Sequence, residues 1–500
     1  MVNNTPDTPS CDYLAMSPYW CMVETMLEGA QAMRAAGKAY LPQFPNETET
    51  NYEYRRKNAK FTNVFRDLVE GLAAKPFAKQ VDLVEKSASP AIKSFVEDVD
   101  GAGNHLHVFA GDVFFNGIAS AIDWMLVDHT AVPTGISATD ERRMGARPYW
   151  VRIPATRMKW VESAMIEGKE QFVYAAIHEP TTVRKGFDEV TIDRMRLLIR
   201  DRADDGSYGP ARFEIWEATA AKVGSKSTSV NWVMKENGPI SIGVIALVPF
   251  MTGRRKEGTW QLLPPMKDAA YLQVEHYQQE TNLKSAKELT AFPMLAGNGI
   301  SPPLDSNGQP VIAPIGPSVV LYAPMGGQGQ QHGEWKFIEP TAASLKFLAE
   351  EVDKTEQQLR ELGRQPLTAQ TGNLTVVTTA FAAQKGNSAV QAWALNLKDA
   401  LEQALRFTCL WLKDATQPEV TVYTDFDVET DSVEGMKVVL DMKKESLISR
   451  VAAINEAKRR NILAPEYDEA EDLELILSEI PGEDGEDDIA GSVTPPANAA

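Results

Sequence analysis

Apolar residues recur every seven positions at Leu345, Val352 and Leu359, and a second series through Leu348 and Leu362 is broken only by Thr355. This spacing predicts a helix over Thr341–Gly363 with a narrow packing seam. Its opposite side is charged, with Glu350–Lys354 and Glu356–Arg360 at i,i+4. Gly363 and Pro366 stop it. A second helix, over Asn387–Lys413, is patterned differently. Gln391, Lys398, Asp399, Glu402, Arg406 and Lys413 form a thin polar stripe, while Ala392, Trp393, Leu397, Ala400, Leu401, Ala404, Leu405, Cys409 and Trp411 take the rest. A helix so apolar is expected to be buried on more than one side. Between the two lies a polar loop, Gln370–Thr379, with Gly372 and Asn373 near its start. The pair fits a helical hairpin in a monomer, and it also fits the interior of an assembly that presents the loop.

The same reading elsewhere predicts helices over 12–37, 51–73, 89–99 and 105–128; Phe61, Val64, Phe65 and Leu68 carry the helical spacing in the second. From Pro148 to Phe250 the pattern changes to short strands, Tyr149–Ile153, Phe172–Ile177, Thr191–Ile199, Ala211–Glu217, Val230–Met234 and Ile242–Val248. Turn signals such as Asp204-Asp205-Gly206 and Asn237-Gly238 separate them, so an antiparallel β region is expected. Pro264-Pro265 opens a helix running through Ala270 and Tyr277 to Leu289. Short strands follow at Val311–Ile315, Val319–Tyr322 and Trp335–Ile338, then a strand at Val420–Val428 and helices over Ser446–Arg460 and Glu469–Ile480. The fold class is α+β. Residues 1–11 and 481–500 are too polar to build a core.

The net charge of −19 is unevenly placed, because the forty residues from Asn461 to Ala500 hold twelve acids and no Lys or Arg. An acidic chain is ill suited to gripping nucleic acid, which requires phosphate neutralisation, although a partner that slides past without sticking is still compatible. The longest strongly apolar run, Ile242–Met251, is too short to span a membrane and contains Pro249. Cys11, Cys21 and Cys409 are an odd set without metal spacing, as expected for reduced, cytoplasmic assembly. No phosphate-binding G-x-x-x-x-G-K-[ST], His-Glu-x-x-His, Gly-x-Ser-x-Gly or Cys-x-x-Cys occurs, so no catalytic residue, cofactor or metal is assigned. His105 and His107 lack a third ligand and read as ordinary histidines at a helix start. The acids Asp425, Asp427, Glu429 and Asp431 lack the glycine and twelfth-position acid of a calcium loop and read as a solvated strand face. Gly326–Gly333 is a flexible glycine-rich turn, Arg254-Arg255-Lys256 a solvated basic loop, and Lys458-Arg459-Arg460 a helix end complementing the dipole.

Several local patterns, in this order, resemble a portal protein of tailed bacteriophages, the head-to-tail connector. They are Tyr54–Asn63 leading to Gly71–Phe77; Leu263–Leu272 with His276-Tyr277 and Thr290–Met294; Pro314–Ser318; Thr371–Asn373 followed by Gln391–Leu395 and Asp399–Glu402; and Arg459-Arg460 with Ile462-Leu463. The resemblance covers residues 50–480. It implies a ring, typically of twelve subunits, with a wing over 12–260, stem helices over 261–290 and 341–366, and a clip over 291–340. A tunnel loop would occupy 367–382, a tunnel helix and return strand 383–430, and a crown 431–480. Gln370, Thr371, Gly372, Asn373 and Thr375 would face double-stranded DNA in the channel. Gly326, Gly327, Gln328, Gln330 and His332 would dock the terminase large subunit and later a tail adaptor. Major capsid or scaffolding protein would be a further partner, and the ring would sit at a capsid vertex after assembly in the host cytoplasm. Leu374–Ala380 is richer in β-branched residues than the Thr-Ala-Thr pattern expected there. The alternatives are an enzyme with a β-rich domain and a helical dimerisation hairpin, which lacks any nucleophile–base or metal constellation, and another shell-forming structural protein.

Overall fold

Side-chain caps set the first helices. α1 (Cys11–Glu28) begins where the Ser10 hydroxyl accepts from Tyr13 N, and it ends at Gly29, whose φ is 97°; α2 (Ala30–Ala36) follows. The helix expected over 12–37 is thus broken at a residue that adopts positive φ without a Cβ penalty. The helix expected over 51–73 is also two, α3 (Glu49–Lys57) and α4 (Val64–Ala73), the latter capped by the Asn63 side chain accepting from Arg66 N. Next come β1 (Asp82–Leu83), α5 (Pro90–Phe95) and α6 (Leu106–Ser120). The helix expected to reach 128 stops at Ser120. Ala121 turns left-handed at φ 72°, and Ile122–His129 is a strand, β2. A buried strand and a buried helix read alike as a continuous apolar run, and an Ala in the left-handed position carries no sequence signal of the stop. The computed structural model describes residues 5–132, 140, 143–223, 227–291, 294–298, 308–309, 333–338, 342–364, 376–424, 426, 432–445, 447–459, 463, 467 and 472. Helix and sheet are mixed, as an α+β fold requires.

The β region is antiparallel as expected. β3 (Pro148–Ile153), β4 (Met158–Ile166), β5 (Lys169–His178), β6 (Thr181–Lys185), β7 (Asp188–Ile192), β8 (Arg194–Ile199), β9 (Arg212–Val223), β10 (Ser227–Pro239) and β11 (Leu247–Met251) follow in order. One sheet has the order β11-β2-β3 and a larger one β10-β9-β8-β5-β4, while β6 and β7 form a separate hairpin. β4 and β6 were not expected, and Thr191–Ile199 divides at Asp193. Ile242–Met251 is strand only from Leu247, because Gly243, at φ 72°, closes a turn by donating its N–H to Ile240 O at 2.8 Å. Every residue from Ile122 to Val127 is buried, so both faces of β2 are covered. The two sheets are joined by ions: Arg196 pairs with both Asp128 and Glu179, and Glu179 also pairs with Arg194 at 3.2 Å.

β12 (Arg254–Arg255) pairs with β13 (Leu262–Leu263) ahead of α7 (Lys267–Ala291). β14 (Met294–Asn298) and β15 (Glu334–Ile338) then form a ribbon, Met294 opposite Ile338 and Asn298 opposite Glu334. α8 (Ala342–Arg364) matches its expected span within a residue. α9 (Val376–Leu412) has 37 residues and starts well before Asn387, so Val376–Ala382 is helix and not loop. The β-branched Val376–Thr379 costs at most about 0.7 kcal/mol per residue in helix propensity, which a long packed helix overrides. α9 buries one wide face, Trp393, Leu397, Leu401, Leu405 and Cys409, on the β11-β2-β3 sheet, whereas Ala392, Leu395 and Leu410 are exposed in this chain. Within one chain the expected burial on several sides is therefore not met. Of the strand expected over Val420–Val428, the described residues form β16 (Val420–Thr421), paired with β1. The chain divides into two units, Met1–Phe426 and Asp427–Ala500. The second holds α10 (Ser432–Lys444), which was not expected, and α11 (Arg450–Arg459), packed together. The helix expected over 469–480 lies outside the described residues, apart from position 472.

Candidate functional site

Gln370, Thr371, Gly372, Asn373 and Thr375 lie outside the described residues, as do Gly326, Gly327, Gln328, Gln330 and His332. So do 311–315, 319–322, Asp425, Asp427, Glu429 and Asp431. The structure describes the frame that carries them. Residues 365–375 connect α8 to α9, and the β14–β15 ribbon closes the base of the segment between α7 and α8.

That frame is held by polar contacts. On α7, Gln273, Glu280 and Thr281 are buried although polar. They take up the backbone of the segment joining α3 to α4. Gln273 accepts from Phe65 N and donates to Thr62 O, each at 2.9 Å. Glu280 accepts from Thr62 N at 2.9 Å, from the Thr62 hydroxyl at 2.8 Å and from Lys60 Nζ at 2.8 Å. Thr281 donates to Lys60 O at 3.3 Å and Lys284 Nζ to Asn58 O at 2.7 Å. Burial pushes the Glu280 carboxyl upward, but Lys60, the Thr62 hydroxyl and amide and His276 outweigh it and hold it below the usual carboxylate range. Neither ring nitrogen of the fully buried His276 has a hydrogen-bond partner among the described residues, and Nδ1 lies 3.9 Å from Glu280. Burial lowers its pKa against the pull of Glu280 and Glu356, which leaves the ring neutral near pH 7.

α8 lies along α7 and against α4. Val352 and Leu359 are buried as the seam predicts, and Thr355 is buried with them, its hydroxyl donating to Glu351 O at 2.9 Å. The charged side forms Glu356–Arg360 at 2.7 Å as expected, but Lys354 pairs with Glu351 at 3.8 Å and Glu350 with Lys346 at 3.7 Å. The expected Glu350–Lys354 pair is replaced by these two neighbours on the same exposed face. His105 precedes α6 and stacks on His107, whose Nδ1 accepts from Val81 N at 3.0 Å. Among the described residues no group of three His, Cys, Asp or Glu could hold a metal ion, and no helix is long and apolar enough to cross a membrane. Arg255 is not a free basic loop residue: it pairs with Glu170 at 2.9 Å and lies 3.8 Å from the Trp260 ring centre.

The sequence reading missed the polar face of α7 and the pairing of buried Asp123 with half-buried Arg152, whose Nε–Oδ2 distance is 2.6 Å. A signal exists for the first: Gln273, Glu280 and Lys284 recur at helical spacing beside Ala270 and Tyr277. For the second, an acid inside the apolar run Ile122–Val127 is the only mark.

A family model described as "Domain of unknown function (DUF4055)" matches residues 265–412, the span from α7 through α9. No curated protein matches the chain. Among solved structures, a chain from the neck of a native GTA particle computed with C12 symmetry is 13% identical, covering 78% of this chain and 88% of that one, with a TM-score of 0.36. A chain from the virion of a native gene transfer agent (GTA) particle is 11% identical over 89% and 98%, also at 0.36. One from the neck of an empty GTA particle computed with C6 symmetry is 13% identical over 91% and 97%, at 0.37. These TM-scores fall below those of chains sharing a fold.

Proposed function

We propose that this chain is a phage-type head–tail structural protein and, more finely, a portal protein: copies close a ring of twelve at one capsid vertex, through which DNA enters and leaves. The observation that carries the reading is an order of elements. A long helix, α7, leads into an insertion based on a ribbon; a second long helix, α8, returns; a short connection then leads into the 37-residue α9. At about 1.5 Å per residue, α7 and α8 are each some 35 Å long, the scale of a channel wall. Residues 12–260 would be wing, α7 and α8 stem, 291–340 clip, the connection before α9 the tunnel loop, and 431–480 crown.

DNA carries one negative charge per about 1.7 Å of axis, so a cationic bore holds it and an uncharged one lets it pass. Gln370, Thr371, Gly372, Asn373 and Thr375 offer hydrogen bonds without fixed charge. Force would come from a separate ATPase, the terminase large subunit, docked at Gly326, Gly327, Gln328, Gln330 and His332, and the chain itself would be no enzyme. A tail adaptor would replace the motor after packaging, and capsid or scaffolding protein would surround the ring in the virion.

Size-exclusion mass with negative-stain imaging tests the ring. Closed rings with a central hole are expected; a stable monomer at micromolar concentration in every salt condition overturns the reading. For the channel, Asn373→Lys should leave rings intact and slow packaging, with partial rescue by salt. Normal packaging at low salt would remove the loop from the DNA path.

A further inference from the structure

His105 precedes α6 and His107 lies in its first turn. The His107 ring is half-buried: Phe77 meets it edge-on at 5.3 Å between ring centres, and His105 stacks on it at 6.0 Å. Its Nδ1 accepts from Val81 N at 3.0 Å. A backbone amide can only donate, so Nδ1 carries no proton here and the neutral ring keeps its one proton on Nε2. Protonation would set a second N–H against the Val81 N–H and end the bond. Val81 is buried. An amide that loses its acceptor there is left away from water, which is costly.

Val81 leads directly into β1, a strand of two residues, with Asp82 opposite Thr421 and Leu83 opposite Val420 of β16. The Thr421 hydroxyl donates to Asp82 O at 3.1 Å, and beyond β1 Val84 N donates to Glu419 O at 2.9 Å. So short a ribbon is marginal in water on its own, and the Val81–His107 bond ties its near end to α6. β16 is the last strand among the described residues before the second unit begins at Asp427. Burial and then the stacked His105 oppose a charge on His107 and hold its pKa below the usual histidine value. The other charged groups around the ribbon are engaged elsewhere. Lys79 lies 5.0 Å over the Tyr423 ring, Asp82 accepts from Leu83 N, and Glu402 of α9 accepts from Val420 N at 3.2 Å. Because the folded value lies below the unfolded value of about 6.5, the stability this contact gives is full above that pH and is lost as pH falls through the folded value.

We propose that His107 is a proton-operated clasp: the neutral ring holds Val81, and through it β1 against β16, and acid releases the ribbon that precedes the second unit. The device does not depend on the ring reading. Backbone hydrogen–deuterium exchange of the full chain tests it, read by mass spectrometry over 79–84 and 418–423 at about pH 7.5 and about pH 5, on either side of the free histidine value, and corrected for the intrinsic pH dependence of exchange. In the parent both segments should exchange roughly tenfold faster or more at the acid pH, as the loss of a buried amide's acceptor implies. His107→Asn offers an Oδ1 that accepts at either pH, and should keep both segments equally protected at both. His107→Leu offers no acceptor and should leave them unprotected at both. If circular dichroism shows that His107→Leu does not fold, the parent and His107→Asn still decide. Protection in the parent that is unchanged at the acid pH, lost to the same extent in His107→Asn, or lost equally across the whole chain overturns the clasp.

Discussion

Asp123 titrates in the opposite sense to an ordinary paired carboxylate. Burial, only partly offset by Arg152, pushes its pKa up to about 7. In the unfolded chain the value returns to about 3.9, so between the two the folded state holds the proton more tightly. Stability from this group therefore falls as pH rises through that window and is level above it. Asp123→Asn cannot titrate and should gain stability relative to the parent between about pH 4 and pH 7, read as the difference in urea midpoints at each pH. Parallel profiles for parent and variant would show that Asp123 is ionised throughout. Gly117 makes a second residue-scale case. It lies on α6 beneath Phe250, and a Cβ built there would fall on the fully buried Phe250 ring. Gly117→Ala should destabilise the fold by about 1–3 kcal/mol, as overpacking does. A neutral result in denaturant unfolding would mean that α6 shifts on the sheet without strain.

Between elements, the decisive contact is α7 against the segment joining α3 and α4. Gln273 satisfies Phe65 N and Thr62 O, groups that no helix or sheet provides for. Gln273→Leu keeps the volume and orphans both, at about 1–3 kcal/mol per buried group. The loss should appear in urea unfolding, together with faster hydrogen exchange at the Phe65 amide. Exchange unchanged at Phe65 would show that another acceptor takes over. Much of this level is written locally: the seven-residue spacing of α8, the prolines before α7 and the turn at Asp204-Asp205-Gly206 all act over a few residues, whereas Asn237-Gly238, expected as a turn, lies inside β10. The break at Gly29 comes from a residue that takes positive φ freely, but the boundaries missed at Asn63 and Ala121 depend on which neighbour receives the chain. Asn63 caps α4 and also donates to Met26 O at 2.7 Å, a choice only the docked α1 offers.

At the scale of the whole chain, the last twenty residues are acidic and poor in large apolar side chains, a composition that builds no core. Truncation after Ile480 should leave oligomeric mass unchanged by light scattering; disassembly would reveal a contact made by the tail. If the chain is a portal protein as proposed, deleting Gly326–Gln331 should likewise preserve assembly while weakening docking of a packaging motor, measured by co-sedimentation with the terminase large subunit. Undiminished docking would place that interface elsewhere.

The candidate residues at 370–375 and 326–332 lie outside the described residues; what adjacent residues carry is helix periodicity and turn chemistry. The seam of α8, the antiparallel β region and the α+β class were legible for the same reason. What only the tertiary structure decided are pairings between distant residues. Asp123 and Arg152 stand 29 positions apart, and Gln273 and Phe65 stand 208 apart. Spacing marks Gln273 and an apolar run marks Asp123, but neither mark names the partner, since a polar residue at a buried position becomes favourable only when a specific distant group satisfies it. The β2 strand, read from sequence as helix, was decided in the same way: its apolar run serves either conformation, and β3 and β11 on its two edges supply the hydrogen bonds that make it a strand.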